Sequence, residues 1–539
     1  MFTTAILIGI YSYLIFLLGV LGFIYRQHII LLTVIYLAIA LYSYREKLKM
    51  NLLRCFETFK KIQKPYLEKI FLGIIILQAL INLVGVLGPE LAFDALWYHL
   101  TLPKIYITNH SISHIPGGLL YYSDMPKLTE MIYVSALTFG NEITAKFIHF
   151  SFGILILIAI YKISRKFFSK EFSLLTVVLF YSNLVVGWQS TTAYIDLART
   201  FFEIMALWGF LNWMENKKNK WFILSSVMLG LAISAKLLAI GSLLIFSILI
   251  SYYFWKNKIS VNNYSIGLFV YWFICLLIVS PWFIFSFLNT GNPVYPFFTN
   301  IYPLKINVSS INTLSLSDPI SPLYIILVPV GILLFTKLEF RLKIISLYCF
   351  LAIIVWQLTP NTGGGRFILP YLPGFSILSI WVIREIRLIR VQYMLIGAII
   401  IFSVFSIIYR LSANSKYMPV IIGKESKADF LKNHLNFSFG DFYDLDGYFA
   451  KKIKASDNVL LYGFHNLYYI DFPFVDSSWV KKGDKFNYVA VQNSPLPKKF
   501  KNWNLIYSNA ISHVKLYSKP RTFGSFSVVR GKGWEKWEH

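Results

Sequence analysis

The sequence is poor in charged residues, which are frequent in soluble domains, and in cysteine, on which small secreted domains depend. Charged residues make up 14% of the 539 residues, whereas ordinary soluble domains carry about 25%. The three cysteines suggest no disulfide framework, because Cys275 and Cys349 stand inside apolar runs and Cys55 stands in a basic loop that we place in the reducing cytoplasm. With 56% hydrophobic and 18% aromatic residues, the chain is not an ordinary soluble protein.

Acidic residues are also scarce, with 26 Asp and Glu against 51 Lys and Arg and a formal net charge of +25. Such an excess could indicate a nucleic-acid partner, but its placement argues against one. The basic residues cluster in short loops between apolar runs, and such loops stay on the cytoplasmic side of a membrane. We therefore predict a membrane protein with no nucleic-acid partner. The basic clusters lie within residues 45–64, 165–170, 217–220, 256–258, 337–343 and 384–390.

Apolar runs of roughly 18–22 residues, each long enough to cross a bilayer, recur from the N-terminus to Arg410. The stretch 221–254 is too long for one helix and contains Lys236, so we predict two helices that meet there. The predicted fold is mainly α, a polytopic membrane protein with about thirteen transmembrane helices. The predicted spans lie near residues 3–24, 29–44, 70–87, 146–163, 171–188, 195–213, two within 221–254, 265–288, 321–336, 344–359, 366–383 and 391–410.

The spans and the basic loops divide the chain into three predicted parts. Residues 1–69 form an N-terminal hairpin with a basic cytoplasmic linker. Residues 70–410 form the main transmembrane domain with a first outer loop at 88–145, and residues 411–539 form a small domain outside the cytoplasm. In that tail DNVLLYGF and KFNYVAVQ predict strands, with LYYIDFPF between them, and KADFLKNHL predicts a helix. We therefore predict a C-terminal extracytoplasmic α/β domain.

The first outer loop carries a carboxylate close to an apolar boundary. Asp94 follows the third predicted span by about six residues, and Trp97, Tyr98 and His99 come soon after it. A carboxylate in this position is energetically costly unless it is paired or functional. Asp is also a preferred helix N-cap, and a cap for the segment 95–100 explains Asp94 equally well.

Further charged residues stand at the outer ends of predicted spans. Asp196 either has a function or, with Arg199, forms a cap or a local ion pair, and Glu203 can pair with Arg199 at i,i+4. Lys236 either has a function or extends its ammonium group to the membrane interface. Arg366 follows three glycines, which allow close backbone approach. It either binds a phosphate bidentately or anchors its helix at the interface.

The first outer loop also holds His99, His110 and His114. Their spacing matches no specific metal-binding motif, so a metal site is the lesser alternative and we predict none.

Five segments, taken in order, resemble the GT-C superfamily of integral membrane glycosyltransferases. The most similar branch holds protein O-mannosyltransferases and lipid A aminoarabinose transferases. The resemblance covers roughly residues 88–373, and the order and positions of the segments are more specific than any one of them. The segments are FDALWYHLTLPKIY, AYIDLARTFFEIMALWGFLNW, GLAISAKLLA, SPWFIFSFLNTGNPVYPFF and GGGRFILPYLP.

The resemblance implies an enzyme that moves a sugar from a polyprenyl-phosphate carrier to an acceptor hydroxyl outside the cytoplasm, with inversion at the anomeric carbon. It makes residues 70–410 the catalytic domain. Asp94 matches the catalytic acid of the first outer loop, although many relatives carry two adjacent acids there and Ala95 follows here. Asp196 matches a recurrent acid at the outer end of a later helix and is the second predicted catalytic residue.

The resemblance also implies how the donor is held. Lys236 and Arg366 match basic positions near the carrier phosphate, where fixed cations stabilise the departing group without a metal or another cofactor. Tyr98 and His99, close to Asp94, are the other predicted substrate-binding residues. The partners implied are the lipid bilayer, the polyprenyl-phosphate sugar and a glycan, lipid or protein acceptor. We place the multi-pass protein in the cell membrane with its N-terminus in the cytoplasm.

Two other functions stay open from the sequence. A transporter or flippase for lipid-linked glycans needs charged residues at mid-membrane depth and a path open to both faces, whereas the polar residues here gather at one face. A polymerase or ligase for whole glycans would have a larger basic outer loop late in the membrane body, whereas the segment 359–366 is short.

Overall fold

The structure is a computed structural model of the chain, and it describes residues 1–60, 66–301, 319–359, 364–436 and 440–520, without the side chains of 44 and 46–60. Part of the predicted linker, the first of the three glycines before Arg366, the side chain of Cys55 and the end of the tail therefore lie outside the described residues. The helices are α1 Phe2–Val20, α2 Arg26–Lys60, α3 Tyr66–Leu87, α4 Thr101–Asn109, α5 Leu128–Phe139, α6 Glu142–Ser164, α7 Lys170–Tyr181, α8 Leu184–Gln189, α9 Asp196–Asn216, α10 Asn219–Ala235, α11 Ile240–Lys256, α12 Val261–Thr290, α13 Leu323–Leu333, α14 Phe340–Gln357, α15 Gly365–Ile368, α16 Leu372–Glu385, α17 Ile389–Ser415, α18 Met418–Ile421, α19 Lys427–His434 and α20 Tyr448–Lys452.

Each predicted span coincides with one helix or with two consecutive helices, as 171–188 does with α7 and α8 and 366–383 with α15 and α16. The prediction of a mainly α, polytopic membrane protein is confirmed. Within the described residues, nine helices are long and apolar enough to cross a membrane. The other predicted spans correspond to α7, α9, α10 and α13, which are shorter or carry several charges. As predicted, the stretch 221–254 forms two helices, because Lys236 adopts an extended conformation between α10 and the 3₁₀ turn Leu237–Ala239.

The N-terminal region differs from its predicted outline. Helix α2 continues without a break from Arg26 to Lys60, so the second predicted span and most of the predicted linker form one helix. Its first part contributes little to the core, since 6% of the residues in Arg26–Ser43 are buried, compared with 89% in the most apolar part of Gly365–Glu385. Helix α16 is therefore central to the bundle, and α2 lies at its edge.

Helix α9 is the second central helix, because most of its residues are buried from Asp196 onwards. It packs along α10 and against α6. The segment α15, the 3₁₀ turn Leu369–Tyr371 and α16 follow one another without a gap, and the 3₁₀ turn packs on α9. The beginnings of α9 and α15 therefore lie at the same end of the bundle.

The tail forms the predicted α/β domain. Its strands are β1 Val459–Tyr462, β2 Phe474–Asp476, β3 Tyr488–Gln492, β4 Asn504–Asn509 and β5 Val514–Ser518, in the order β2-β1-β3-β5-β4. Strand β1 pairs in parallel with β2 and β3, and β5 pairs antiparallel with β3 and β4. The two predicted strands are β1 and β3, and the predicted helix is α19. LYYIDFPF is mostly loop, with only its last residue in β2.

The C-terminal domain packs directly on the first outer loop, at the end of the bundle where α9 and α15 begin. The amide of Tyr468 donates a hydrogen bond to the carbonyl of Leu96 (3.1 Å), and Lys104 donates to the carbonyls of Tyr468 and Ile470 (2.8 and 2.6 Å). Both regions share one continuous apolar core. The domain is therefore fixed beside the segment that carries Asp94.

Candidate functional site

Asp94 binds a cation rather than capping a helix. It precedes the π-helical turn Ala95–His99, but its side chain makes no capping hydrogen bond. Its Oδ2 atom instead lies 2.6 Å from Nη1 of Arg366. The N-cap interpretation of Asp94 is therefore wrong. The amide of Asp94 donates to the hydroxyl of Tyr194 (3.2 Å), which fixes the backbone at this point.

Arg366 reaches Asp94 from the first turn of α15. Gly364, immediately before α15, has a φ of 51°, in the left-handed region that glycine adopts at little cost. The Arg366 guanidinium lies 4.9 Å from the centre of the Tyr194 ring, and its side chain is 14% exposed. An arginine so enclosed is not an anchor at the membrane interface, and that alternative is wrong.

Asp196 and Lys236 form a second pair. Nζ of Lys236 lies 2.6 Å from Oδ1 of Asp196, which is almost completely buried at the start of α9. The same Nζ lies 5.0 Å from the centre of the Phe367 ring. Lys236 therefore turns into the protein, and its interpretation as a residue extended towards the interface is wrong. Oδ2 of Asp196 is buried and has no hydrogen-bond partner in the part of the chain that the structure describes.

The two pairs form one site, which we call the paired-charge site and define as Asp94, Arg366, Asp196 and Lys236. Phe367 joins them, because it follows Arg366 in the chain and its ring faces Lys236. The charges of Arg366 and Asp196 also interact with each other. The four charges sum to zero, and each carboxylate has a cation as its partner.

Tyr98 and His99, the other predicted site residues, lie against the site from the first outer loop. The Tyr98 ring stacks on the Tyr122 ring with a centroid distance of 3.5 Å, and burial raises the pKa of its hydroxyl. Nδ1 of His99 lies 2.7 Å from Oε1 of Glu130 on α5. The His99 ring packs on Tyr194 at 5.5 Å, so it supports the residue on which Arg366 rests. Their roles in binding substrate stay predictions.

The three histidines of the first outer loop have separate partners. Whereas His99 pairs with Glu130, His110 stacks on Tyr25 and bonds to the carbonyl of Ile24, and His114 bonds to Asp124. Across the described ranges, no group of three or more His, Cys, Asp or Glu side chains is placed to hold a metal ion.

Sequence reasoning missed the residues that hold the site in place. Glu90 is buried and accepts hydrogen bonds from the backbone amides of Leu91, Ala92 and Ala193 (2.8, 2.8 and 2.5 Å). It thereby ties the segment before Asp94 to the segment that carries Tyr194. Tyr194 stands within the motif that carries Asp196, and Glu90 stands four residues before Asp94, but nothing in their spacing indicates these contacts.

The C-terminal domain also reaches the neighbourhood of Asp94. The ring of His465 lies 5.9 Å from that of Phe93 and 5.5 Å from that of Trp97. Burial lowers the pKa of His465 to about 4, so its imidazole is neutral at physiological pH. The wall beside Asp94 is therefore aromatic and uncharged.

Comparison with known families gives one match within the membrane body. Residues 131–285 match the model of the dolichyl-phosphate-mannose-protein mannosyltransferase family. The matched segment contains Asp196 and Lys236, whereas Asp94 and Arg366 lie outside it. No curated protein matches the sequence.

Comparison with solved structures extends the likeness to most of the chain. The crystal structure of ArnT from Cupriavidus metallidurans bound to undecaprenyl phosphate aligns with a TM-score of 0.56 and 10% identity, covering 83% of this chain and 97% of that chain. The apo state of the same protein aligns with a TM-score of 0.54, at the same identity and coverage. The chain therefore has the fold of the GT-C superfamily, to which the matched family and ArnT both belong. The predicted resemblance is confirmed.

Proposed function

We propose that the protein is a glycosyltransferase that moves a sugar from a polyprenyl-phosphate carrier to the hydroxyl group of an acceptor. The observation that carries the proposal is the paired-charge site, in which two carboxylates and two cations meet at one end of a membrane bundle. Transfer from a lipid phosphate needs a base for the acceptor and fixed cations for the leaving group. A match to a mannosyltransferase family and a fold shared with a protein that binds undecaprenyl phosphate support this class of donor.

Binding of the donor exchanges partners within the site. The carrier phosphate takes the place of the carboxylates at Arg366 and Lys236, and the arginine can bind it through two parallel hydrogen bonds. Asp94 is then released beside the anomeric carbon as a free carboxylate. Tyr98, His99 and the aromatic rings near Asp94 border the space for the sugar and the acceptor.

The reaction is a single displacement. The acceptor oxygen attacks the anomeric carbon, its proton passes to the Asp94 carboxylate, and the bond between that carbon and the phosphate oxygen breaks. The lipid phosphate leaves, and Arg366 and Lys236 stabilise its negative charge. The configuration at the anomeric carbon is inverted. Because these two residues supply the positive charge, the proposed mechanism uses no metal and no other cofactor.

The proposed setting follows from the position of the site. The prenyl chain lies in the bilayer beside the apolar helices, and the acceptor, a glycan, a lipid or a protein, arrives from the side of the C-terminal domain. We propose that this side faces away from the cytoplasm of a cell membrane and that the N-terminus is cytoplasmic, because the basic loops lie at the opposite ends of the helices.

The test is a transfer assay with the purified full-length protein in liposomes. A panel of radiolabelled undecaprenyl- and dolichyl-phosphate sugars serves as donors, and membranes supply native acceptors. We expect transfer that persists in EDTA and falls by about 10²–10⁴-fold in Asp94→Asn, because the base is lost. Asp471→Asn is the matched control, since Asp471 is exposed in the C-terminal domain.

Three other outcomes would change the proposal. Full transfer by Asp94→Asn would remove Asp94 from the role of base and assign that role to Asp196. Loss of transfer in EDTA would contradict the metal-free mechanism. No transfer from any monophosphate donor by correctly folded protein would overturn the proposal in favour of a glycan polymerase, a ligase or a transporter.

A further inference from the structure

A third charged pair, separate from the two of the paired-charge site, lies deeper in helix α9. Nε of Arg199 is 3.6 Å from Oε2 of Glu203, at i,i+4, and both side chains are almost completely buried. Ionisable residues inside membrane helices are energetically costly and usually have a function. The proposed reaction uses neither residue, so their presence requires a separate explanation.

The deeper pair is connected to three other elements. Nη2 of Arg199 donates to the hydroxyl of Tyr371 (3.1 Å), which also bonds to Ser242 (3.2 Å). Oε1 of Glu203 accepts hydrogen bonds from Ser242 and from Tyr348. We call these five residues the buried cluster. It joins α9, α11, α14 and the 3₁₀ turn before α16.

The buried cluster has one member close in sequence to each of three residues of the paired-charge site. Arg199 is three residues after Asp196, which is about one turn of α9. Ser242 is six residues after Lys236, and Tyr371 is five residues after Arg366. The cluster therefore connects the three segments that carry Asp196, Lys236 and Arg366. It does so one to two helical turns below the paired-charge site.

Helix packing alone does not require charges at this place. Elsewhere in the bundle the hydroxyl of Tyr324 bonds to Ser376 and to Asn183 (2.7 and 3.2 Å). These neutral residues join the segment between α7 and α8 to α13 and α16 in the same way. A buried ion pair gives no clear gain in stability over such an arrangement, because its desolvation offsets its attraction.

We propose that the buried cluster is a positioning element that sets the distance between Arg366 and Lys236, and with it the size of the anion pocket for the donor phosphate. The proposal rests on the proposed function, since it assigns these cations to the phosphate. It makes Arg199, Glu203, Ser242 and Tyr371 positioning residues, which act on the donor only through the two cations.

The experiment compares Tyr371→Phe with Tyr324→Phe. Each variant removes one buried hydroxyl with two polar side-chain partners, but only Tyr371 belongs to the buried cluster. Full-length protein in nanodiscs is examined by hydrogen exchange of residues 364–372 and by its affinity for undecaprenyl phosphate. We expect Tyr371→Phe to exchange faster in this segment and to bind undecaprenyl phosphate about fivefold more weakly, which corresponds to about 1 kcal/mol, the contribution of one lost hydrogen bond. We expect Tyr324→Phe to match the wild type in both measurements.

The outcomes separate this inference from the proposed function. Unchanged exchange in Tyr371→Phe, an equal change in Tyr324→Phe, or faster exchange with wild-type affinity would each overturn the positioning role. Faster exchange confined to Tyr371→Phe, together with no binding of undecaprenyl phosphate by the wild type, would support the positioning of Arg366 and refute the proposed donor. Glu203→Gln, if it folds, should give the same pattern as Tyr371→Phe.

Discussion

Carboxylates at the paired-charge site and carboxylates beneath the C-terminal domain are bound in different ways. Glu90 accepts three backbone hydrogen bonds. Glu142 pairs with Lys427 and accepts from the hydroxyls of two tyrosines, Tyr468 and Tyr469. Each carboxylate of the paired-charge site, in contrast, forms an ion pair with a single cation in the described structure. There, Oδ2 of Asp196 has no hydrogen-bond partner.

The number of partners decides whether a carboxylate stays fixed or can be replaced by another anion. A carboxylate with several donors can leave them only by giving up several hydrogen bonds at once, which suits a fixed junction between domains. A carboxylate held by one cation can be replaced by another anion in one step. We call Glu90, Glu142 and the residues of the tail that contact them the docking surface. We expect variants of the docking surface to change stability and variants of the paired-charge site to change the rate of transfer.

The largest effect is expected when a cation of the paired-charge site is removed. Lys236→Gln should lower the rate of transfer at saturating donor by about 10²–10³-fold, as for other lost stabilisers of a developing anion. Lys427→Gln is the control, because Lys427 also pairs with a carboxylate but lies at the docking surface, outside the paired-charge site. Initial rates with labelled donor test the contrast, and similar losses in both variants would contradict it.

A methyl group added where the first outer loop meets Ser478 of the tail should strongly weaken the contact between these two segments. Gly117 and Gly118 have φ values of 95° and 92°, so alanine is strained at both positions. Only at Gly117 would the added Cβ collide with the backbone oxygen of Ser478, since nothing lies within 4 Å at Gly118. Gly117→Ala should therefore cost roughly 3 kcal/mol more than Gly118→Ala. Hydrogen exchange of residues 475–480 measures this difference, and equal protection in the two variants would refute the close approach.

The stability of the C-terminal domain should depend on pH through Asp476. Its carboxyl is buried, no cation among the described residues pairs with it, and burial raises its pKa from 3.8 to about 7. The folded domain therefore keeps a proton that the unfolded chain loses, so the free energy of unfolding falls by about 2 kcal/mol from pH 5 to pH 7. Hydrogen exchange of β1 and β3 in wild type and Asp476→Asn, compared at each pH, tests this. A pH dependence that persists in Asp476→Asn would assign it to another group.

The smallest effect is expected when one hydroxyl group of the docking surface is removed. Tyr469 donates to the carbonyl of Glu90 (2.8 Å) and to the carboxylate of Glu142 (3.4 Å). Tyr469→Phe should cost about 1 kcal/mol of stability and leave the rate of transfer within about twofold. Thermal unfolding and initial rates measure the two quantities. A large loss of transfer without loss of stability would show that the docking surface takes part in the reaction.

The sequence was sufficient for the membrane body, because each span needs a long apolar run and basic loops mark the ends. It also predicted the four residues of the paired-charge site and the Arg199–Glu203 pair, which is local to one helix. It could not predict which carboxylate binds which cation, since Asp94 and Arg366 are far apart in the chain and meet only through helix packing. The partners of Arg199 on other helices were missed for the same reason.

The tail was predicted less completely. Strands β1 and β3 are almost fully buried apolar runs, and their sequences indicate strands directly. Strand β4 is mostly exposed or half-buried, and its pairing with β5 is irregular between Leu505 and Tyr507. A short strand with no consistent alternation gives no periodic signal, so β4 could not be predicted. Strand β5 alternates between buried and exposed residues only from Val514 to Leu516, a run too short to indicate a strand.

The neutrality of the paired-charge site has a consequence for selectivity. Because each cation already holds a counterion, inorganic phosphate in the surrounding water finds no net positive charge to attract it and must compete with a carboxylate that is tethered in place. A phosphate on a prenyl chain is tethered too, since the bilayer confines it to the plane in which the site opens and raises its local concentration. If the proposed donor is correct, the internal ion pairs thus favour anions delivered by the membrane over those in solution.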